Sequence, residues 1–381
     1  MNHAPDISTS TSTSTSTSTS TSDSLIADSA QRLFSTQVDK AVRHRAETGE
    51  LDPSLWQHVQ DSGFGLLLAT ESAGGFGQGW SAAYPVLRGL GYWQVPLPLA
   101  ETMVAAQLAS LAGFEIPDGP LTLIEQGCGN TLQIDGGAGA GTGTLTLSGV
   151  AHQVPWARHA RAALVSLADG RLALLDLADA AGVSVQPHAN HAGLPSDTVT
   201  LQQARLRAIA INPLALAQPV WTLGAVARSA MLVGALESAL EQAVRYAGER
   251  VQFGKPIGKN QAIQQNLALM AGDMAAARVA ALVACAQAPG SRADDCQATR
   301  FCAAVAKVRA GEAATRGTSI AHQVHGAIGF THEHALHFTT RRLWAWRAEF
   351  GADAQWAALL GRAAIQARAG GFWPALTQRH F

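Results

Sequence analysis

The sequence contains few charged residues and few cysteines. Aspartate, glutamate, lysine and arginine together make up 14% of the 381 residues, and the formal net charge is −1. This balance argues against a nucleic-acid-binding protein, which would normally carry a concentrated basic surface. The four cysteines (Cys128, Cys285, Cys296 and Cys302) show no C-x-x-C spacing, so they are interpreted as small apolar packing residues in a reducing compartment.

The sequence also lacks a recognisable targeting segment and a long uninterrupted apolar run. The N-terminus has no basic region followed by an apolar core, which is the pattern of a secretory signal peptide. No uninterrupted apolar run approaches the roughly 20 residues needed to cross a bilayer. We therefore expect a soluble, cytoplasmic protein that does not enter the membrane. Hydrophobic residues still make up 47% of the chain, so two or three packed units are expected at this length.

Composition and hydrophobic periodicity divide the chain into four regions. Residues 1–24 hold a Ser-Thr alternation with no apolar face, so this tail is predicted to be disordered. Residues 25–115 show helical spacing of apolar side chains, and residues 116–211 change to six short β-prone runs. Residues 212–381 return to long helical patterns with short connections. The predicted fold is α+β: an N-terminal α-helical domain, a small antiparallel β-barrel or sandwich, and a C-terminal four-helix bundle.

A basic, glycine-containing segment interrupts the C-terminal helical pattern at residues 250–264. Its sequence is R-V-Q-F-G-K-P-I-G-K-N-Q-A-I-Q, and its glycines and proline prevent one continuous helix from running through it. Arg250 could bond phosphate oxygens with two parallel N–H groups, and Phe253 offers a flat apolar face. For an arbitrary loop of this composition, a solvated surface loop is the commoner outcome.

Three motifs together resemble the signatures of the flavin-dependent acyl-CoA dehydrogenase family. The first is the segment at residues 250–264. The second is Q-V-H-G-A-I-G-F-T-H-E at residues 323–333, and the third is E-S-A-G-G-F-G at residues 71–77, with Thr70 where the family usually has proline. They occur in the family's order, and the resemblance covers roughly residues 26–370. It implies the family's fold, which has the same order of helices, strands and helical bundle that the periodicity predicts.

The resemblance implies an FAD cofactor and residues that bind it. Arg250 would contact the FAD diphosphate across a dimer interface, Phe253 would pack against the adenosine part, and Gln261 would lie nearby. Gln323 and Gly326 match positions of the second signature that contact the same diphosphate.

The family's flavin-ring segment and its catalytic base are matched less well. Residues 121–130 read L-T-L-I-E-Q-G-C-G-N and keep only a glutamate and the glycines of the family segment that touches the flavin ring. The family's base removes the α-proton of an acyl-CoA thioester and usually lies in a Glu-Gly pair after the second signature. Alignment from Gln323 places Phe350 at that glutamate, and Glu349 comes one residue early. The family's other base position, near the start of the first bundle helix, is Gly224 here.

Two interpretations of the function remain open. In the first, Glu349 is the base, and the chain is an acyl-CoA dehydrogenase that forms a 2-enoyl-CoA and passes electrons to an electron-transfer flavoprotein. In the second, the chain is the base-less, FAD-holding subunit of a heteromeric member that acts on steroid-derived or ring-bearing acyl-CoAs. In either case the resemblance implies a homo- or hetero-tetramer built from dimers. A structural or interaction protein without flavin is a third interpretation.

The densest group of histidines raises a metal site as an alternative. Five histidines lie between residues 322 and 337, and His334 and His337 could share one helix face. The second signature accounts for several of them without a metal, and the cysteines are not placed to assist. The sequence therefore predicts no metal.

Overall fold

The N-terminal region is helical, as its periodicity predicts. The computed structural model describes residues 14–135, 145–178, 180–214, 216–290 and 296–379. The α-helices before the first strand are α1 (Ser14–Gln37), α2 (Lys40–Ala46), α3 (Pro53–Asp61), α4 (Trp80–Tyr92) and α5 (Leu99–Leu111). Asp39 and Asp52 cap α2 and α3, because their side chains accept backbone N–H groups of the first turns.

The Ser-Thr tail differs in part from its prediction. Residues 1–13 lie outside the described part of the chain, but residues 14–24 have helical backbone as the first turns of α1. The later part of α1 is anchored, since Ala30 and Phe34 are buried and the Phe34 ring packs beside Gly89 of α4. Because the turns around Ala30 and Phe34 are fixed by packing, the helix can extend toward the N-terminus without a new nucleation step. The prediction from composition did not consider this extension.

The described part of the middle region contains two four-stranded sheets. Its strands are β1 (Leu121–Glu125), β2 (Thr131–Asp135), β3 (Thr146–Pro155), β4 (Ala162–Ser166), β5 (Arg171–Asp176), β6 (Val183–Gln186), β7 (Ser196–Arg205) and β8 (Ala208–Ile211). One sheet has the order β1-β4-β5-β8, and the other has the order β2-β3-β7-β6. The predicted sandwich is present, but β1 and β4 pair in parallel rather than antiparallel. The sequence prediction missed β6 and β8, because these four-residue edge strands are too short for a clear periodic signal.

Side-chain alternation places the β1-β4-β5-β8 sheet between two hydrophobic cores. Leu121 and Leu123 of β1 belong to the core shared with the helices, whereas Ile124 belongs to the core between the sheets. In β4, Leu164 and Val165 divide in the same way. Because successive side chains of a strand point to opposite faces, this sheet is buried on both sides. Strand β1 lies at one edge of this sheet, beside the start of the C-terminal helices.

Long helices form the C-terminal region within residues 216–290 and 296–379. They are α6 (Pro219–Glu249), α7 (Gln261–Gln287), α8 (Cys296–His325), α9 (Leu336–Ala348) and α10 (Asp353–Gln378). Helices α6, α7 and α8 pack against one another, α9 packs on α6 and α8, and α10 packs on α8. This arrangement, together with the N-terminal helices and the two sheets, confirms the predicted fold class.

Helices α6 and α7 correct the expectation that no segment is suited to crossing a bilayer. Both are long and apolar enough by length and composition, because isolated polar residues break an apolar run without lowering its mean hydropathy much. The apolar stretch of α6 is 89% buried, so α6 is the central helix of the core. That of α7 is only 22% buried, and Leu269, Val279 and Leu282 are exposed. Helix α7 thus presents an apolar face that no described residue covers.

Two glycines allow α4 and α6 to cross in backbone contact. A Cβ on Gly91 would lie 1.8 Å from the Met231 carbonyl oxygen, and a Cβ on Gly234 would lie 1.9 Å from the Arg88 carbonyl oxygen. Any larger residue at either position would push the helices apart, because both contacts are with backbone atoms. The crossing holds α6 firmly against the N-terminal helices.

The first turn of α6 is capped by a side chain from β1. Gln218 precedes the helix with a φ of 54° and makes no side-chain cap. The Glu125 carboxylate instead accepts the Trp221 backbone N–H at 3.0 Å, and it also accepts bonds from the Val220 N–H and the Ser166 hydroxyl. Glu125 is only 6% exposed. Desolvation raises the pKa of Glu125 to about 7, although its hydrogen bonds act in the opposite direction.

We expect the substitution Glu125→Gln to remove part of the pH dependence of folding. The pKa of Glu125 in the folded protein, about 7, lies above its ordinary value of 4.5. Its stabilising contribution is therefore complete below the lower value and is lost as pH rises through the upper one. The unmodified protein should lose up to about 3 kcal/mol of unfolding free energy from this group across that interval. Denaturant unfolding at a series of pH values measures the difference.

A suitable control is Glu312→Gln, because Glu312 is an exposed residue of α8 whose one ion pair among the described residues is with the half-buried Arg309. The unfolding free energy of this variant should depend on pH as steeply as that of the unmodified protein. If the same holds for Glu125→Gln, the pKa of Glu125 is not raised in the folded protein.

Candidate functional site

A cavity of about 190 Å³ lies where β1, the start of α6 and the turn after α9 meet. We call it the α6 cavity. Its lining includes Glu125 and Cys128 from the end of β1 and the following turn, Trp221 from α6, and Glu349 and Phe350 from the turn after α9. The structure thus brings the predicted base position beside the part of the middle region that resembles the flavin-ring segment.

Glu349, the base candidate from the sequence, lines this cavity, but its carboxylate is already paired. Its Oε2 accepts Arg228 Nε at 2.7 Å, and its Oε1 accepts Asn190 Nδ2 at 2.9 Å. Arg228 also donates to Glu101 of α5, and both of these side chains are almost fully buried. Both oxygens of Glu349 are therefore engaged by donors of the protein before any substrate arrives.

In the triad of Glu101, Arg228 and Glu349, the two carboxylates hold the buried Arg228 guanidinium in its charged form. Burial by itself lowers the pKa of Arg228, but the two carboxylates raise it, and the net pKa lies above the usual arginine value. Removing one member would leave an uncompensated charge in the interior, which is strongly unfavourable. The triad joins α5, α6 and the turn after α9 at one point.

The ring of Phe350 fills the space beside Gly224. A Cβ on Gly224 would lie 2.4 Å from a ring atom of Phe350. Phe350 has a φ of 52°, which is uncommon for a bulky residue, and the Arg228 guanidinium carbon lies 5.3 Å from the ring centroid. The two positions at which the family can carry its base are therefore in contact here. Gly224 has no side chain at the first position, and Phe350 has an aromatic ring at the second, so neither position carries a carboxylate.

Two buried donors hold the turn that carries Glu349 and Phe350. Lys307 of α8 donates to the carbonyl oxygens of Trp346 and Arg347 at 3.1 and 2.7 Å, at the helix end where a cation is favourable. Trp356 Nε1 donates to the Phe350 carbonyl oxygen at 2.9 Å. Desolvation lowers the pKa of the fully buried Lys307 to about 7.

The sequence interpretation did not identify Arg228 and Lys307. Each is a cation within a helix whose neighbouring positions are apolar: Arg228 follows Gly224 by one turn on the most buried part of α6, and Lys307 lies among alanines on α8. The sequence signal that could have identified them is a charged residue at a helix position whose neighbours on the same face are apolar. Such a residue is expected to be buried, and a buried charge requires a partner.

The predicted cofactor residues lie together at the opposite end of α6. Helix α6 ends at the segment 250–264, which starts α7, and the end of α8 packs beside it. There Tyr246 stacks on His325 with ring centroids 4.6 Å apart. The five predicted residues in this region are all exposed: Arg250, Phe253, Gln261, Gln323 and Gly326. The structure therefore gathers them at one end of the bundle, remote from Glu349.

The local geometry at this end fits a phosphate-bearing cofactor with an aromatic base. Val251–Gln252 and Lys255–Pro256 form a two-stranded hairpin, and Phe253 at its tip is fully exposed with a φ of 52°. The Arg250 side chain makes no hydrogen bond to the described residues. Gly326 has a φ of 64°, and a Cβ there would meet none of those residues within 4 Å. A free guanidinium, a bare ring and an open backbone are groups that can receive a ligand.

The length of α6 separates the two sets of residues. At a rise of about 1.5 Å per residue, the helix from Gly224 to Arg250 spans about 40 Å. A single FAD molecule does not reach across this distance, so Arg250 and the α6 cavity of one chain cannot serve the same cofactor. The expectation that Arg250 contacts a cofactor across a dimer interface is compatible with this separation and stays a prediction.

Comparisons with known proteins agree with the motifs. A family model described as acyl-CoA dehydrogenase, C-terminal domain, matches residues 214–365. Acyl-CoA dehydrogenase FadE27 of Mycobacterium tuberculosis is 31% identical over 325 residues, which cover 77% of this chain and 84% of that protein.

Solved structures extend the likeness to nearly the whole chain. The Tcur3481-Tcur3483 steroid ACAD G363A variant is 26% identical with a TM-score of 0.79, covering 92% of this chain and 99% of that chain. The ChsE4-ChsE5 complex from Mycobacterium tuberculosis shares the fold, with 23% identity and a TM-score of 0.77 over 90% of this chain and 97% of that chain. By its fold, and by its identity to FadE27 over most of both chains, this chain belongs to the acyl-CoA dehydrogenase family.

Proposed function

We propose that this chain is the non-catalytic, FAD-holding subunit of a heteromeric acyl-CoA dehydrogenase. The base that removes the α-proton of the acyl-CoA would come from a partner chain of the same fold. The observation that carries the proposal is the contact between Phe350 and Gly224, which fills the place of the base, while Glu349 is held by Arg228 and Asn190.

The charges around the α6 cavity also support this assignment. Removal of the α-proton builds negative charge on the thioester, which a catalytic site stabilises with donors aimed at that charge. The cavity is lined instead by the Glu125 carboxyl group, the Glu349 carboxylate and the Cys128 thiol. The amide of Asn130, which also lines it, donates to the Glu125 carbonyl oxygen and accepts the His152 N–H. The Glu349 carboxylate would oppose the developing charge, and no arginine or lysine is among the residues that line the cavity.

In the assembly, this chain would contribute its cofactor-binding end to an active site of the partner. Arg250 and Gln323 would bind the FAD diphosphate, Phe253 would cover the adenosine part, and the backbone at Gly326 would approach the phosphates closely. FAD itself would accept the hydride from the β-carbon of the substrate. In this assembly the residues of this chain would bind and orient the cofactor.

The exposed apolar face of α7 supports an assembly of subunits. Leu269, Val279 and Leu282 are 55%, 61% and 40% exposed, and the apolar stretch of α7 as a whole is only 22% buried, which is a feature of interaction surfaces. We assign this face to contact with another subunit in a tetramer built from dimers. The steroid ACAD named above suggests the substrate class, a steroid-derived or ring-bearing acyl-CoA, and the family resemblance suggests an electron-transfer flavoprotein as the acceptor.

A self-sufficient acyl-CoA dehydrogenase is the second candidate function. The observation that favours it is the position of Glu349, which lines the α6 cavity. The two candidates differ in what Glu349 does: it is a base in one and the structural partner of Arg228 in the other.

The substitution Glu349→Gln separates these roles in the purified holo-assembly. We expect turnover to change by less than about threefold, whereas loss of an essential base would lower it by at least about 100-fold. We also expect the unfolding free energy to fall by about 2 kcal/mol, because Arg228 loses one of its two charged partners. Steady-state turnover and denaturant unfolding are measured on the same preparation. The exposed Glu312→Gln should alter neither, and a 100-fold loss of turnover for Glu349→Gln would establish the self-sufficient enzyme.

The substitution Arg250→Ala tests the cofactor-binding end. Loss of a charge-assisted contact to a diphosphate should weaken FAD binding by about 10- to 100-fold, since such bonds contribute about 1.5–3 kcal/mol. Flavin retained by the assembly after gel filtration, read from its visible absorption, measures the effect. The control is Arg161→Ala, an exposed arginine of the middle region. Equal flavin retention in the two variants would show that Arg250 does not hold the cofactor.

A further inference from the structure

Three histidines and one glutamate from separate segments converge where α2 meets α9. His44 and Glu47 lie on or just after α2, His332 lies in the loop before α9, and His337 lies on α9. One ligand atom each from His44, Glu47 and His332 lie within 4.8 Å of one another. The His337 ring centroid is 4.9 Å from that of His332 and 6.0 Å from that of His44. This group, the α2–α9 cluster, shares His337 with the pair of His334 and His337 considered from the sequence, but it does not include His334.

His337 carries an independent sign of an absent ligand. Its Nδ1 lies 2.8 Å from the His334 carbonyl oxygen, which can only accept, so Nδ1 bears the proton and Nε2 bears a lone pair. His337 is 6% exposed, and Nε2 is buried without a hydrogen-bond partner among the described residues. A histidine bonded to a backbone carbonyl through one nitrogen and free at the other has the arrangement of a metal ligand.

Glu47 is oriented in the same manner. Its Oε1 accepts Arg341 Nη1 at 2.5 Å, which leaves Oε2 on the side of His44 at 3.7 Å from Nδ1. A carboxylate fixed by a second hydrogen bond is a typical feature of metal sites.

The cationic groups around the cluster are only partly satisfied by other partners. Lys40 donates to the Glu333 carbonyl oxygen, and Arg43 donates to Gln94. Arg342 donates to the Phe338 carbonyl oxygen through Nη1, whereas its buried Nε and Nη2 have no partner among the described residues. Glu47 is the carboxylate that faces the histidines. These cations lower the affinity of the cluster for a divalent cation. A ligand set of imidazole and carboxylate nevertheless binds transition metals well.

We propose that the α2–α9 cluster binds one divalent transition-metal ion through His44, Glu47 and His332, with the neighbouring His337 as a fourth imidazole and Zn²⁺ as the best match to this ligand set. Tetrahedral zinc would bring the ligand atoms to about 3.3 Å from one another, so small side-chain rotations of His44 and His332 must accompany binding. The ion would join the N-terminal helices to the C-terminal bundle. The proposal does not depend on the function proposed above.

The test uses the full-length chain without a histidine tag, freed of metal with a chelator. Equilibrium dialysis against Zn²⁺ gives the metal retained per chain, and Co²⁺ gives the visible absorption of a tetrahedral site. We expect one zinc per chain, and at least a roughly 10-fold loss of affinity in both His44→Ala and His332→Ala. His332 is exposed, so its variant should fold even if the His44 variant does not.

The matched control is His58→Ala, an exposed histidine of α3 outside the cluster. It should keep the zinc affinity and the Co²⁺ spectrum of the unmodified chain. The proposal is overturned if the unmodified chain retains no more zinc than His332→Ala. It is equally overturned if His58→Ala loses as much affinity as the cluster variants, because the binding would then be adventitious.

Discussion

The arrangement of the candidate site depends on one buried cation, the guanidinium of Arg228. A charge at this depth must be paired, and its partners are Glu101 on α5 and Glu349 after α9. Phe350 follows Glu349 directly and lies against the same guanidinium, so the ion pairs also decide where its ring lies. The Phe350 ring is thereby fixed beside Gly224 at the edge of the α6 cavity, and Lys307 further holds the end of α9 that carries this turn.

Helix α6 gives the chain two ends with opposite chemistry. At its start, the cavity is small and lined by Glu125 and Glu349, whereas at its end Arg250 and Phe253 are open to solvent. Because these ends are about 40 Å apart, the residues at one end do not contact a ligand bound at the other. A subunit built in this way can hold the diphosphate of a cofactor whose ring lies in another chain, and it needs no base of its own to do so.

The fold was largely predictable from the sequence because local patterns determine it. The periodicity of α6 and α7 and the turn at Phe253 and Gly254 are encoded by neighbouring residues. The site was less predictable, because its contacts join distant residues. No local sequence pattern shows that Arg228 contacts Glu349. Alignment to the family motif likewise could not show that Phe350 has a left-handed backbone conformation that places its ring against Gly224. The parallel pairing of β1 with β4 is likewise a tertiary feature.

The central claim is that this chain has no base of its own. The most direct test is an anaerobic titration of the purified chain, loaded with FAD, with straight-chain and steroid-derived acyl-CoA thioesters while the flavin absorption is recorded. The account predicts that the visible flavin band stays unchanged for the chain alone and bleaches once a partner chain that carries the glutamate is present. Bleaching by the chain alone would contradict the account, and would return Glu349 to the role of catalytic base.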